Sequence, residues 1–108
     1  MLERQIEAAL IKRVKELGGE VRKVQWIGRA SAPDRLVMLP LTWSAARVDF
    51  LNEGQTTTWV EVKNPDTIKT FPADARERAQ HREHQRMRRL GQRVEVIGTL
   101  EQIESLFS

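Results

Sequence analysis

The 108-residue chain contains no cysteine, which excludes disulfides, thiolate zinc sites and cysteine nucleophiles. It has only two histidines, His81 and His84, so nitrogen ligands for a zinc site are also too few. No apolar run approaches the roughly 20 residues that a membrane helix requires. The first residues, Met-Leu-Glu-Arg, carry no apolar signal-peptide core. We therefore expect a soluble, cytoplasmic protein with no membrane partner.

The length fits one small domain that spans residues 1–108. The net charge is +3, but it is unevenly distributed. Residues 69–93 contain eight basic and three acidic residues, so this segment has a charge of +5 and the remainder has −2. Seven of the eight are arginines, which bind phosphate bidentately. The segment predicts either a polyanionic partner such as nucleic acid or a solvated helix face.

Hydrophobic spacing and turn residues predict the order of elements along the chain. They are a helix over 3–17, strands over 20–27, 34–39, 46–51 and 56–63, a turn at 64–66, a loop over 67–72, a helix over 73–90, a strand over 93–97 and a last helix capped by Thr99. The order αββββαβα predicts an α/β domain with a mixed sheet flanked by helices. The hairpin over 41–55 is expected to contact either the substrate or a second subunit.

The predicted helix over 73–90 has an unusual inward face. Gln80, His84 and Met87 recur at helical spacing, with Leu90 beside them. A helix that buried only apolar surface would not centre its stripe on a glutamine and a histidine. In the last helix, Thr99 and Gln102 predict a capping box. Its predicted buried face consists of Leu100, Ile103, Leu106 and Phe107.

The stretch Trp59-Val60-Glu61-Val62-Lys63 alternates like a strand, which puts Glu61 and Lys63 on one face. Asp34 precedes another apolar run. If the two strands are neighbours, these acids and the lysine converge, and two carboxylates there can hold a hard divalent cation. The alternatives are a cross-strand ion pair on a solvated face and, for Asp34, a turn cap. Glu3 is either a further site residue or a favourable charge near the helix dipole.

Three motifs resemble those of the VRR-NUC branch of the PD-(D/E)XK nucleases. They are Ala32-Pro33-Asp34-Arg35, Glu61-Val62-Lys63 and Gln80-x-x-x-His84, and the resemblance extends from Glu3 to the segment Gly91-Gln92-Arg93-Val94. It implies a restriction-endonuclease-like fold. The family commonly has glycine where this chain has Ala32, so we expect a slightly different turn before Asp34.

The resemblance also implies a Mg²⁺ cofactor, for which Mn²⁺ should substitute. Its implied ligands are Asp34, Glu61, the backbone carbonyl of Val62 and Glu3. Asp34, Glu61, Lys63 and Gln80 form the implied catalytic set, in which Lys63 orients water or stabilises charge on the phosphate and Gln80 positions Lys63 or water. The implied DNA-binding residues are Arg76, Arg82, His84, Arg86 and Arg89, although His84 is equally a candidate for a buried histidine.

The activity that the resemblance implies is metal-dependent hydrolysis of DNA phosphodiester bonds by an endonuclease. Stand-alone members of the family resemble Holliday junction resolvases, so a homodimer acting on branched DNA is expected, and a bacterial or phage origin would suit a free-standing domain. One alternative is a non-catalytic nucleic-acid-binding module of the same fold. Another is an interaction domain with no role in nucleic-acid binding.

Overall fold

The computed structural model describes residues 1–40 and 56–107. Its elements are α1 (Glu3–Glu16), β1 (Glu20–Lys23), β2 (Arg35–Met38), β3 (Thr57–Val62), α2 (Pro65–Thr70), α3 (Ala75–Arg89), β4 (Val94–Ile97) and α4 (Leu100–Leu106). The predicted hairpin strand over 46–51 and its turn lie outside the described residues. None of the helices described has the length and apolar character needed to cross a membrane.

The four described strands form one mixed sheet in the order β1-β2-β3-β4. Neighbours are antiparallel from β1 to β3, whereas β3 and β4 are parallel. Parallel neighbours need a long crossover connection, and here α2 and α3 provide it. The predicted α/β domain with a mixed sheet flanked by helices is confirmed.

Side chains along β3 alternate strictly between the two faces of the sheet. Thr58, Val60 and Val62 are buried on one side of the strand, and the intervening residues point to the other side. The side chains that pack on the first side come mainly from α1, β2, β4 and α4. This core consists of Ile6, Leu10, Val14, Val37, Leu39, Val60, Val62, Ile97, Ile103, Leu106 and Phe107.

The helix α3 covers the second side of the sheet with the stripe that its sequence predicts. Gln80, His84 and Met87 are all buried. Leu90, predicted beside them, is instead 71% exposed, because α3 ends at Arg89 and Leu90 is the C-cap. Leu100, predicted in the buried face of α4, is 45% exposed. It is the first residue of its helix, where a side chain has no preceding turn to cover.

The helix α2 replaces the predicted turn and loop over 64–72. Asn64 is its N-cap, and the side-chain oxygen accepts hydrogen bonds from the backbone N–H groups of Asp66 (3.0 Å) and Thr67 (2.7 Å). Pro65 occupies the first helical position, which its fixed φ suits. Gly98 lets α2 approach the end of β4, since a Cβ there would lie 2.5 Å from the Cβ of Ile68.

The cap predicted at Thr99 is present. Its side chain accepts a hydrogen bond from the backbone N–H of Gln102 at 3.1 Å. The side chain of Gln102 accepts from the N–H of Gly98 at 2.7 Å. The reciprocal half of the predicted box is thus made one residue earlier than the usual pattern, in which it returns to the N-cap itself.

Candidate active site

Lys63 lies directly after β3, on the side of the sheet that α3 covers. Lys63 is only 7% exposed, and its Nζ donates a hydrogen bond to Oε1 of Gln80 at 2.8 Å. Nζ also lies 5.3 Å from the centre of the Phe71 ring, within the range of a cation–π interaction. A buried ammonium group is costly without such partners. The structure therefore makes the predicted contact between Lys63 and Gln80.

Glu61, two residues earlier on the same face of β3, contacts His84. The His84 side chain is completely buried, and its Nε2 lies 3.3 Å from Oε1 of Glu61. The ring stacks on Phe71 with centroids 6.0 Å apart, while Nδ1 has no hydrogen-bond partner among the described residues. His84 is therefore a buried histidine in contact with Glu61, one of the two alternatives that the sequence offered. Its contact with DNA stays a prediction.

Asp34 reaches the same side of the sheet from the neighbouring strand. Arg35 pairs with Val60 in the antiparallel register of β2 and β3, so extending that register by one residue places Asp34 opposite Glu61. Directly opposed residues share a face, with Cβ atoms about 4.5–5.5 Å apart. The side chain of Asp34 is half exposed. Asp34 and Glu61 are therefore neighbours across two adjacent chain segments, which is the condition for the two carboxylates to share one site.

The turn before Asp34 does not need glycine. Its positive φ of 68° falls on Ser31, and Ala32 is not in the left-handed region. Pro33 is fully buried, and its carbonyl accepts a hydrogen bond from Nε1 of Trp26 at 2.8 Å. The difference from the family pattern at Ala32 therefore leaves Asp34 anchored at the start of β2.

The first helix contributes Glu7 to this region. Nε of Arg35 donates to Oε1 of Glu7 at 2.9 Å, and Nη1 of Arg35 lies 3.7 Å from Oδ2 of Asp34. Glu3, one turn earlier, is exposed. In residues 1–40 and 56–107, no three acidic or histidine side chains gather as a metal-binding group. Neither Glu3 nor His84 therefore joins Asp34 and Glu61 in such a group. Glu7 was missed, although it lies four residues from Glu3 on the same helix stripe.

The donor set nevertheless fits a hard divalent cation. Asp34 and Glu61 supply two carboxylates, and the peptide carbonyl of Val62 lies in the chain between Glu61 and Lys63. Mg²⁺ usually keeps several waters and takes only one or two carboxylates. A sparse pair of acids beside a single histidine suits Mg²⁺ better than zinc, which prefers several nitrogen or sulfur ligands.

The charged side chains that α3 exposes to solvent are almost all cationic. Both of its acids are engaged elsewhere: Glu77 accepts from the backbone N–H of Ala73 at 2.8 Å, and Glu83 pairs with Arg29 at 2.8 Å. Arg78 and Arg88 donate to backbone carbonyls. The four arginines predicted to bind DNA are exposed and have no hydrogen-bond or ion-pair partner in the described part of the chain. They are Arg76, Arg82, Arg86 and Arg89.

These four arginines lie on two different faces of α3. At about 100° per residue, Arg82, Arg86 and Arg89 fall within about 60° of one another and roughly opposite the Gln80 stripe. They form the outer arginine face, which points away from the sheet. Arg76 lies on the flank nearest Gln80. The outer arginine face therefore points away from Lys63, whereas Arg76 lies about one helical turn before Gln80, the partner of Lys63.

A mixed four-stranded sheet with helices on both faces, with two acids and a lysine on or next to the adjacent strands β2 and β3, has the architecture of a restriction-endonuclease-like α/β fold.

Comparison with known proteins identifies the family. No family model and no curated protein matches this chain. A solved structure described as a VRR_NUC domain superposes on it with a TM-score of 0.68 and 32% sequence identity, covering 96% of this chain and 91% of that one. The chain belongs to the VRR_NUC domain family, and the resemblance seen in its motifs is confirmed.

The buried Lys63–Gln80 hydrogen bond should appear as energetic coupling between the two side chains. In a double-mutant cycle of Lys63→Met and Gln80→Leu, we expect a coupling free energy of about 1 kcal/mol or more, because contacting buried partners are not additive. Urea unfolding in metal-free buffer measures it. The matched control is the exposed pair Lys69 and Asp66, 3.7 Å apart, which should show no measurable coupling. Additive effects at Lys63 and Gln80 would contradict the contact.

Proposed function

We propose that this protein is a divalent-metal-dependent endonuclease that hydrolyses DNA phosphodiester bonds. The observation that supports it best is that Glu61 on β3 and Lys63 directly after it share one side of the sheet, where the register places Asp34, the residue before β2, opposite Glu61. Membership of the VRR_NUC family and the nuclease-type fold support the same reaction class. Family membership supports DNA as the substrate, and the exposed arginines suit the phosphate backbone of a nucleic acid.

Each side chain has a separate task in this proposal. Asp34, Glu61 and the carbonyl of Val62 hold Mg²⁺ or Mn²⁺, and His84 holds the Glu61 carboxylate in place. The bound ion supplies charge relief on the phosphate oxygens and a more acidic attacking water. Glu3 is left out of the ligand set because it is exposed and separate from the two acids.

Lys63 is the group that meets the reacting phosphate or water. An ammonium group has three N–H donors, and Gln80 accepts from one of them. Two donors are left for a phosphate oxygen or for the attacking water. Because Gln80 and Phe71 hold the ammonium in advance, little reorganisation is needed as charge develops in the transition state.

Branched DNA and a homodimer are the finer parts of the proposal. One domain offers one site, and symmetric cutting of two strands requires two sites, which a two-fold dimer supplies. The outer arginine face supports a substrate with more than one duplex arm, since it lies away from the site. Sedimentation under cleavage conditions should give the mass of a dimer, and a monomer that cuts both strands at equal rates would contradict this part.

A non-catalytic nucleic-acid-binding module is the second candidate, and the outer arginine face favours it. That face requires neither the acids nor the lysine in order to hold DNA. The two functions differ in one outcome: a module binds DNA but leaves it intact with Mg²⁺ or Mn²⁺. If the protein is such a module, substitution of Asp34 or Lys63 removes no cleavage activity, because the wild type has none.

Removing one site group should abolish cleavage without unfolding the protein. Asp34→Asn and Lys63→Met should each lower kcat on branched DNA by about 100-fold or more, because each removes a charge used in the transition state. Asp66→Asn and Lys69→Met make the same chemical changes on exposed α2 and should retain activity. Asp34→Asn should also weaken Mn²⁺ binding measured by calorimetry. If wild type binds branched DNA but never cuts it, the binding module is the correct function.

The outer arginine face should contribute to the salt dependence of DNA binding. The double variant Arg82→Gln with Arg86→Gln should reduce the slope of log K against log salt by about 2, since each phosphate contact contributes about one unit. Lys12→Gln with Lys15→Gln makes the same charge change on exposed positions of α1, which packs on the other side of the sheet. Equal slopes for the two double variants would show that α3 is not the DNA-binding helix.

A further inference from the structure

The loop that joins β1 to β2 is held in a defined conformation. The backbone N–H of Val24 donates to the carbonyl of Asp34 at 2.8 Å, which closes the base of the loop. Trp26 donates to the carbonyl of Pro33 and packs against Trp59, with ring centroids 5.0 Å apart. Trp59 lies on the same face of β3 as Glu61. The loop therefore stands against the side of the sheet that carries the site.

An ion pair ties the far part of this loop to α3. Nε of Arg29 donates to Oε1 of Glu83 at 2.8 Å, and the Glu83 side chain is largely buried. Glu83 lies three residues after Gln80, on the flank of α3 that also carries Arg76. The loop consequently borders the candidate site from the side of β2 and contacts α3 at Glu83.

Between the loop and Asp34 is a cleft of about 670 Å³. Its lining combines cationic, amide and hydroxyl groups and one acid with three apolar residues: Lys23, Arg29, Gln25, Ser31 and Asp34, and Val24, Trp26 and Ala32. Cations and neutral donors along the cleft match a phosphodiester backbone, and the acid at its end is the proposed metal ligand. A strand lying in this cleft would lead directly to the site.

Ile27 projects from this loop into solvent. It is 96% exposed, the highest value for any large hydrophobic residue in the described part of the chain. Gly28, with φ of 73°, makes the turn that follows it. The β-branched side chain of Ile27 is stiff at χ1, and the neighbouring Trp26 is anchored. DNA-binding proteins insert apolar side chains, isoleucine among them, as wedges between base steps, and Ile27 stands at the tip of an anchored loop.

We propose that Ile27 is a wedge that packs on the base pair exposed at a DNA branch point, while Arg29 holds an adjoining phosphate. The proposal rests on the proposed nuclease function and assigns its preference for branched substrates to the β1–β2 loop. At a branch, one face of a base pair already lacks a stacking neighbour, and Ile27 covers it. In a continuous duplex the same contact first requires two base pairs to unstack.

The test compares Ile27→Ala with Leu90→Ala, another exposed apolar residue, on a four-way junction and on a continuous duplex of the same sequence. Ile27→Ala should lower kcat/KM on the junction about tenfold, as expected for roughly two methylene groups that no longer become buried. Its kcat/KM on the continuous duplex should not change. A 2-aminopurine at the branch should change its fluorescence on binding Lys63→Met protein without metal, and Ile27→Ala should remove that change. Leu90→Ala should behave as wild type in every assay.

Three results would overturn the wedge while leaving the nuclease function intact. They are an equal loss on both substrates, no loss on the junction, and dissociation of a dimer by Ile27→Ala in sedimentation, which would make Ile27 a subunit contact. A wild-type protein that neither binds nor cuts DNA would overturn the proposed function and the wedge with it. Because Ile27 is almost fully exposed, loss of folding does not confuse these outcomes, and a thermal melt of each variant confirms that.

Discussion

A buried ammonium group at the end of β3 constrains everything around it. Lys63 is almost fully removed from water, so its charge requires partners within the protein. Gln80 supplies the hydrogen bond and Phe71 supplies the face of its ring. These partners determine how α3 lies on the sheet, because the helix must present an amide at one position where an ordinary helix presents an apolar residue. The same packing brings His84 to Glu61 and completes the site.

The two faces of the sheet are consequently used for different purposes. The face covered by α1 and α4 is a continuous apolar core, which supplies hydrophobic stabilisation. The face covered by α3 contains Lys63, Gln80 and His84, all buried and polar. The apolar core thus lies on the first side, and the buried polar groups of the candidate site lie on the second. Such a division lets a domain with a modest core hold charged groups without separating its strands.

The charges of α3 and the β1–β2 loop form a second level of organisation. Glu77 accepts from a backbone N–H at the start of α3, and Glu83 pairs with the loop, so the arginines of α3 have no acidic partner on their own helix. The acids thus stabilise the structure while the positive charge stays available to a polyanion. The loop that Glu83 retains also lines the cleft that ends at Asp34. The ion pair between Arg29 and Glu83 therefore fixes the position of the cleft relative to α3.

Several features of the structure follow from local patterns that are visible in the sequence. The alternation around Glu61 gives the face of β3, and the spacing of Gln80, His84 and Met87 gives the inward stripe of α3. The helix α2 was also locally encoded, by Asn64 followed by Pro65, but that signal equally describes a turn. Leu90 and Leu100 were assigned to buried faces because periodicity does not show where a helix stops. The terminal residues of a helix lack the neighbouring turns that would cover them.

By itself, the sequence determined the elements, their inward faces and the three motifs that place this chain in its family, because each depends on residues close together along the chain. The tertiary structure alone decided that His84 contacts Glu61, that Glu7 pairs with Arg35, and that Arg29 pairs with Glu83. Each of these contacts joins residues from 23 to 54 positions apart. Local periodicity gives the direction in which a side chain points, whereas only the packing of strands and helices gives the group that it meets.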